Sequence, residues 1–358
     1  MRSVAIVGAG PVARASAVLL VRNGHAAALW SPSGRKTAAL TPAAAGRARL
    51  PYTGCISGGI EVGIITDPAQ LAQHDVVLVA VPGNAYPAIL PRITPHLHAA
   101  QTVIVSGALS LAPLWLYERS GKPGARPLLV SWGTTIATAR LPDPAGVQVN
   151  TVRTRFEAAA LPESRGDEAL AICRELFGDH FSPAPLLATA LLNVNPVAHV
   201  AEVLPNLTRI DRREAWSLFG CLTPSAARLG EAIDLERQAI ARAYGLEVRS
   251  IQEHTHLSYH VPLGSYAEMA AAIDAGGGSP LGPVTLEHRY LLEDVPYGLV
   301  FYEALAAIAG VAVPNISASI TLFSTVSGHD FRNENLLLRE LALDRLSPSG
   351  LLARCTGG

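Results

Sequence analysis

The feature that most constrains the fold is a glycine turn close to the N-terminus. Val4–Val7 form a short apolar run, and the residues that follow it read Gly-Ala-Gly-Pro-Val-Ala over Gly8–Ala13. An apolar stretch from about Arg14 to Val21 ends at Asn23-Gly24, and a second apolar run covers Ala26–Trp30. This order predicts strand, tight turn, helix and strand, which is one βαβ unit of a parallel sheet.

The spacing of the small residues in this turn has a chemical explanation. Gly8 permits the tight turn, Gly10 lets backbone N–H groups approach a pyrophosphate, and Ala13 lets the helix pack close to the strand. Glycine turns without a ligand are common, but one between a strand and a helix predicts a dinucleotide site at the helix N-terminus. The predicted cofactor contacts are residues of this turn and a proline after a later strand: Gly8, Gly10, Pro11, Val12, Ala13 and Pro82.

The end of the second strand predicts which nicotinamide cofactor is preferred. NAD sites usually place an acid there for the ribose 2′-hydroxyl, whereas this chain continues with Ser31, Arg35 and Lys36 and has no acid between Trp30 and Lys36. A guanidinium suits a 2′-phosphate because it donates two parallel, charge-assisted hydrogen bonds. The alternative is a solvated basic loop. We predict that NADP(H) is preferred over NAD(H) and that these three residues contact it.

Strands and helices continue to alternate through the first half of the chain. Further apolar runs predict strands that end near Pro82, Ser106 and Ser131. Beyond about residue 185, apolar residues recur at helical spacing, for example over Pro224–Tyr244 and Pro296–Ile308. The predicted fold is an α/β Rossmann domain with a doubly wound parallel sheet over residues 1–185, followed by a mostly α-helical domain over 186–358.

Composition excludes several classes of function. The formal net charge is −1, and no block of basic residues is present, so neither nucleic acid nor an anionic membrane is an expected partner. No segment reaches the roughly 20 apolar residues of a membrane span, and no secretory signal is visible at the N-terminus. The four cysteines form no Cys-x-x-Cys pair, which suits a reducing compartment. We therefore expect a cytoplasmic protein.

A cluster of histidines raises the possibility of a metal site. His254, His256 and His260 lie close together in the sequence, and zinc uses such ligands. No obvious further ligands accompany them, and the segment has the character of a loop. We therefore predict exposed loop histidines and no metal.

Two segments of the helical half carry an unusual density of polar groups. The first covers Asn193–His199 and the second covers His288–Pro296. Taken singly, a histidine such as His199 is more often a core residue than a catalyst. Arg289 with Asp294 would more often be a structural ion pair.

Together these two segments resemble the signature motifs of the opine dehydrogenases. Residues 193–199 read Asn-x-Asn-Pro-Val-Ala-His, and residues 288–294 read His-Arg-Tyr-Leu-x-Glu-Asp. Ile233–Arg237 and Ala243–Leu246 are also similar to this family, as is the Leu-Trp-Ser-Pro at the end of the second strand. The resemblance covers nearly the whole chain and is strongest to the octopine-synthase-like bacterial members.

The resemblance implies a reaction between two small molecules. Opine dehydrogenases condense the amine of an amino acid with the carbonyl of an α-keto acid, and NAD(P)H reduces the imine to a secondary amine. Pyruvate is the default keto acid by this resemblance, and 2-oxoglutarate stays open. The sequence allows a homodimer without requiring one.

The resemblance also implies roles for individual residues. His199 matches the catalytic histidine, whose proton is exchanged near neutral pH. Asp294 matches the carboxylate that orients it, by the logic of catalytic triads. Arg289 matches an arginine that suits a substrate carboxylate, and Asn195 is expected to shape the site.

One strand end departs from the octopine type. These enzymes carry a glutamate just after the strand that corresponds to Leu128–Ser131, where this chain has Trp132 and, shortly after it, Thr135. We predict that both residues line the substrate site. Loss of the acid favours a neutral amino donor over a basic one.

Two other functions remain as alternatives. The first is a 2-keto acid reductase of the ketopantoate reductase type, many of which use a lysine from the helical domain as the acid. The lysines of this chain are Lys36 and Lys122, so the helical half has none to supply. The second is a non-catalytic NADPH-binding sensor, which would not need His199, Arg289 and Asp294 to converge.

Overall fold

The computed structural model describes residues 1–44 and 46–357. The chain divides into two compact units, Met1–Ala190 together with Ala353–Gly358, and Leu191–Leu352. Most strands lie in the first unit and most helices in the second, so the predicted fold class, a Rossmann domain followed by a helical domain, is confirmed. The functional boundary after residue 185 stays a prediction.

The first unit is built on one large mixed sheet. The strands of this sheet are β1 Ser3–Val7, β2 Ala26–Trp30, β3 Thr41–Pro42, β4 Arg47–Gly54, β5 Gly58–Ile65, β6 Val76–Val79, β7 Thr102–Val105, β8 Leu128–Trp132, β9 Ala137–Arg140, β10 Val147–Val152, β11 Phe156–Leu161 and β12 Phe181–Pro183. Their order is β12-β11-β8-β7-β6-β1-β2-β5-β4-β10-β9, with β3 beside β4. The central strands from β8 to β5 pair in parallel, as the doubly wound pattern requires.

Antiparallel pairs flank this centre. β4 pairs antiparallel with β5, and β11 pairs antiparallel with β8. The sequence did not predict β4, because its side chains alternate between buried and exposed and it contains Pro51. The sheet is therefore mixed, and only its central strands have the parallel arrangement that the sequence predicted.

The helices of the chain fall into two groups. The helices of the first unit are α1 Pro11–Arg22, α2 Arg35–Ala38, α3 Tyr86–Ile93, α4 Ala112–Arg119, α5 Gly166–Phe177 and α6 Leu186–Leu191. The last residue of α6, Leu191, is the first residue of the second unit. Those that follow are α7 Asn195–Val203, α8 Leu207–Asp211, α9 Pro224–Ala243, α10 Ile251–Tyr259, α11 Tyr266–Ala275, α12 Arg289–Leu292, α13 Val300–Ala309, α14 Pro314–Ser327, α15 Phe331–Glu334, α16 Leu336–Leu341 and α17 Pro348–Cys355. A π-helical turn, Val295–Leu299, joins α12 to α13.

The C-terminal residues pack with the first unit rather than with the helical one. Arg354 donates to both oxygens of Glu118 at 2.6 and 2.8 Å, and Tyr117 Oη donates to the carbonyl of Gly357 at 3.1 Å. The predicted helical domain extends to residue 358, whereas the observed helical unit ends at Leu352. The cause is an ion pair between residues far apart in sequence, which no local pattern reveals.

Two of the three clustered histidines lie on a helix, and His260 directly follows its last residue. His254 and His256 belong to α10, which begins with a capping box between Ser250 and Glu253. His256 Nδ1 lies 2.7 Å from the carbonyl oxygen of Val261. The prediction of a loop was therefore wrong, because the capping signal before the histidines was not used.

One stretch of the chain is long and apolar enough to cross a membrane. Leu186–Asp211 has a mean hydropathy of 1.3, although the sequence analysis expected no segment of this kind. The stretch comprises the separate helices α6, α7 and α8, and most of it is buried inside the protein. Buried core helices pass the same test, so this is weak evidence for a membrane span.

Candidate functional site

The helical unit joins the two polar segments that the sequence analysis singled out. His199 lies on α7, which has Pro196 in its first turn, and Asp294 lies between α12 and the π-helical turn. His199 Nδ1 and Asp294 Oδ2 are 2.5 Å apart, and both side chains are buried. The carboxylate thus occupies Nδ1 and leaves Nε2 as the ring nitrogen that a substrate can meet.

A close approach of backbone to side chain makes this pairing possible. A Cβ on Gly298, in the π-helical turn, would lie 2.2 Å from Cγ of Pro196. Tyr302 Oη also donates to the carbonyl of Asn193 at 2.6 Å, just before α7. The first contact packs the start of α7 against the turn after Asp294, and the second ties the chain before α7 to α13. Because a Cβ would clash at the first contact, the glycine is a requirement of the site.

Aromatic and charged residues of α12 surround the imidazole. The ring of Tyr290 stacks on that of His199, with centroids 3.5 Å apart and planes 19° from parallel. Arg289 leaves 54% of its side chain exposed and lies 3.4 Å from Glu293 Oε2. The ion pair of this arginine is therefore with Glu293, and the exposed guanidinium keeps donors for an anionic ligand. Asn195 is exposed in the first turn of α7.

Burial shifts the pKa of both members of the pair. It raises the pKa of Asp294 to about 7, a rise that Arg289 partly offsets. It lowers the pKa of His199 well below the usual value, and Arg289 acts in the same direction. Both shifts favour the uncharged pair, in which Nε2 carries a proton. Loss of one proton near neutral pH then leaves Nε2 as a base, so the pair suits general acid–base chemistry.

The glycine turn of the first unit has the geometry that a dinucleotide requires. Gly8 has φ +126°, and a Cβ there would lie 2.4 Å from the carbonyl oxygen of Ala80, which follows β6. α1 begins at Pro11, so its free N–H groups start with Val12 and Ala13. Because β1 lies between β2 and β6, this turn stands where the strand order reverses. These residues fit the pyrophosphate of NAD(P)H.

The remaining predicted cofactor residues lie at neighbouring strand ends. Arg35 and Lys36 are exposed on α2, and Lys36 Nζ lies 3.8 Å from the position of a Cβ on Gly10. Pro82 is exposed after β6, whereas Ser31 is buried at the end of β2. Two cations beside the turn fit a cofactor with an additional phosphate. Direct contacts with the cofactor stay predictions.

Arg14 supports this turn and was not predicted from the sequence. Arg14 is buried in α1 and donates to the carbonyl oxygens of Ala9, Lys36 and Gly146 at 3.1, 2.8 and 2.9 Å. It therefore joins the glycine turn to the start of α2 and to the loop before β10. A lone cation inside an apolar helix was the signal that could have revealed it, because such a charge needs partners.

The prediction that Trp132 lines the substrate site was wrong. Its side chain is fully buried in the core of the first unit, edge-on to Phe156 and Phe177 at centroid distances of 5.4 and 5.3 Å. Its Nε1 donates to Cys173 Sγ at 3.4 Å. Because Trp132 lies in the core, it gives no information about the amino donor, and a neutral donor is no longer favoured on this ground. Thr135 is half-buried, and its Oγ1 donates to the carbonyl of Ala137.

Comparisons with known proteins agree with both units. The family model described as NAD/NADP octopine/nopaline dehydrogenase, alpha-helical domain, matches residues 183–327. A second model, NADP oxidoreductase coenzyme F420-dependent, matches residues 3–108. A protein of Arthrobacter sp. strain 1C named opine dehydrogenase is 27% identical over 98% of each chain.

Solved structures show the same fold. A structure of octopine dehydrogenase with NADH and L-arginine has a TM-score of 0.76 and 19% identity, and it covers 100% of this chain and 98% of its own. Yersinopine dehydrogenase with bound NADP+ has a TM-score of 0.66 and 18% identity, with 99% and 98% covered.

Proposed function

The chain belongs to the opine dehydrogenase family, and on that premise we propose that its His199–Asp294 pair drives the reductive condensation of an amino acid with an α-keto acid. It is an NAD(P)-dependent oxidoreductase that acts on a CH–NH bond. The observation that carries the proposal is the buried contact of 2.5 Å between His199 Nδ1 and Asp294 Oδ2, with Arg289 exposed beside it.

The pair supplies the proton transfers that the condensation needs. The amino acid arrives as an ammonium, which must lose a proton before nitrogen can attack the keto carbon. The imidazole accepts that proton at Nε2 while Asp294 balances the charge. The keto oxygen gains two protons before it leaves as water, and nitrogen loses two: one before it attacks and one from the adduct. Nε2 can carry each of them in turn, which leaves an iminium carbon ready for reduction.

Arg289 has the chemistry to hold a substrate carboxylate. Its guanidinium presents parallel donors that match the two oxygens, and Glu293 fixes one side of it. The glycine turn around Gly8 would hold NAD(P)H, which would supply the hydride. Pyruvate is the proposed keto acid, and a cytoplasmic homodimer is the proposed form of the enzyme.

Replacement of Arg289 by alanine should weaken substrate binding. A charge-assisted hydrogen bond contributes roughly 1.5–3 kcal/mol, so we expect the KM of the keto acid to rise about tenfold to a hundredfold. Turnover at saturation should change far less. Steady-state kinetics would measure this, with Arg209→Ala as control because Arg209 is also exposed and paired with a glutamate. A loss of thermal stability with no change in KM would make Arg289 structural.

The cofactor preference should depend on the cations of α2. We expect kcat/KM for NADPH to exceed that for NADH, and Arg35→Ala to lower the ratio about tenfold through loss of a phosphate contact. Arg47→Ala is the matched control, since Arg47 is an exposed arginine of the same unit paired with Glu61. A wild-type preference for NADH would defeat this proposal.

The reaction itself is tested by crossing amino acids with α-keto acids while following NADPH oxidation. We expect oxidation only when both partners are present. Oxidation with a keto acid alone would support a simple keto acid reductase. The lysines, Lys36 and Lys122, both precede the helical unit, so that unit has no ammonium acid for such a reaction.

A further inference from the structure

The guanidinium of Arg14 joins three separate segments of the first unit. Its side chain is 1% exposed, and it donates four hydrogen bonds, all to main-chain carbonyl oxygens. Nε donates to Ala9 in the glycine turn at 3.1 Å, and Nη2 donates to Lys36 in α2 at 2.8 Å. Nη1 donates to Pro144 and Gly146, in the loop before β10, at 2.7 and 2.9 Å. Burial of a cation costs free energy that an apolar side chain would not cost, so the charge calls for an explanation beyond packing.

The bond to Ala9 determines where the next N–H group points. A peptide unit is planar and trans, so its carbonyl and its N–H point in opposite directions. The carbonyl of Ala9 points to the buried guanidinium, and the N–H of Gly10 in the same peptide unit therefore points away from it. Gly10 is partly exposed, and its N–H donates to no group in the part of the chain that the structure describes. Arg14 thus leaves this donor free for an anion at the glycine turn.

The bond to Lys36 holds the basic residues of α2 beside the same turn. The carbonyl of Lys36 accepts from Nη2 of Arg14, and its Nζ lies 3.8 Å from the position of a Cβ on Gly10. Arg35, the preceding residue, is exposed. One planar group therefore bonds both to the turn proposed for the pyrophosphate and to the helix proposed for the 2′-phosphate. A lysine could not replace it, because one ammonium on a flexible chain does not present a fixed fork of donors to separate carbonyls.

Resting on the cofactor preference proposed above, we propose that Arg14 is a positioning residue that makes the enzyme discriminate NADPH from NADH. It fixes the glycine turn and α2 at one separation, so that the pyrophosphate and the 2′-phosphate of one NADPH molecule meet their donors together. Groups that are already in place bind more tightly, because no free energy is lost in ordering them. NADH has no 2′-phosphate, so its binding suffers less when this separation is no longer fixed.

The variant Arg14→Lys tests the proposal, because it keeps the charge and removes the fork. We expect the ratio of kcat/KM for NADPH to kcat/KM for NADH to fall about tenfold, the effect of one lost phosphate contact. The KM of the keto acid should not change, because the groups proposed to bind it lie in the other unit. Arg22→Lys is the matched control, since Arg22 also lies on α1 but is exposed and donates to the side chain of Tyr52.

A background without the cations of α2 separates positioning from general support of the fold. In the double variant Arg35→Ala/Lys36→Ala, α2 has no basic side chain left for Arg14 to position. Arg14→Lys in this background should lower kcat/KM for both cofactors equally and leave their ratio as it was. An equal fall of the ratio in both backgrounds would overturn the proposal.

Equilibrium binding gives a readout that does not depend on turnover. In calorimetric titrations, Arg14→Lys should lose about tenfold more affinity for NADP+ than for NAD+. Arg14→Gln, which removes the charge as well as the fork, should behave in the same way, and thermal unfolding without cofactor shows whether each variant is folded. Failure of both variants to fold would overturn the proposal and make Arg14 a folding residue.

The wild type distinguishes the two proposals. A wild-type preference for NADH would reject the cofactor preference itself. A wild-type preference for NADPH that Arg14→Lys keeps in full would reject only the role of Arg14.

Discussion

Replacement of His199 by alanine should lower reductive turnover at least about a hundredfold, as expected when a general acid–base group is lost. The proton transfers pass through the imidazole. Asp294 contacts Nδ1 of that ring, so its carboxyl is not placed to exchange the protons once the ring is gone. NADPH should bind as before, because the glycine turn lies in the other unit.

Stopped-flow measurement of cofactor oxidation with both substrates tests this expectation. His256→Ala is the matched control, since His256 lies on a helix of the same unit with its Nδ1 next to a backbone carbonyl. Turnover of His199→Ala within threefold of the wild type would remove His199 from the mechanism.

Replacement of Asp294 by asparagine should lower turnover by up to about ten-thousandfold, the loss seen when the aspartate of a catalytic triad is made neutral. Asparagine fills the same space but cannot become the counter-ion of an imidazolium. Its amide would also hold Nδ1 in the acceptor form and keep Nε2 protonated. The ring would then be unable to alternate between base and acid.

The same variant separates chemistry from folding. Asp294 is a buried acid with a raised pKa, so its folded form binds more protons than its unfolded form between about pH 4 and 7. His199, whose pKa is lowered, has the opposite effect below about pH 6.5, so the two contributions oppose each other in the wild type. Asp294→Asn removes only the Asp294 contribution, so the variant should gain stability relative to the wild type as pH rises from about 4 to about 7. A variant that is folded and fully active would contradict the role of Asp294.

The local part of the fold was predictable from the sequence. The glycine turn was recognisable because only glycine fits the position of Gly8, which has φ +126° and no room for a Cβ beside the carbonyl oxygen of Ala80. The helices of the second unit followed from apolar spacing. Two motifs about ninety residues apart in sequence pointed to His199 and Asp294, and the structure brings these residues together.

Features that depend on packing were not predictable. Whether Trp132 faces a ligand or the core depends on which face of β8 it occupies, and one residue of register reverses the answer. The contact between Gly298 and Pro196 arises from helices that meet only in three dimensions.

The most direct test of the central claim is to identify the product formed from a deuterated nicotinamide cofactor. With an amino acid and pyruvate, mass spectrometry should find a secondary amine that joins the two carbon skeletons and carries one deuterium on the former keto carbon. A deuterated 2-hydroxy acid beside unchanged amino acid would contradict the account.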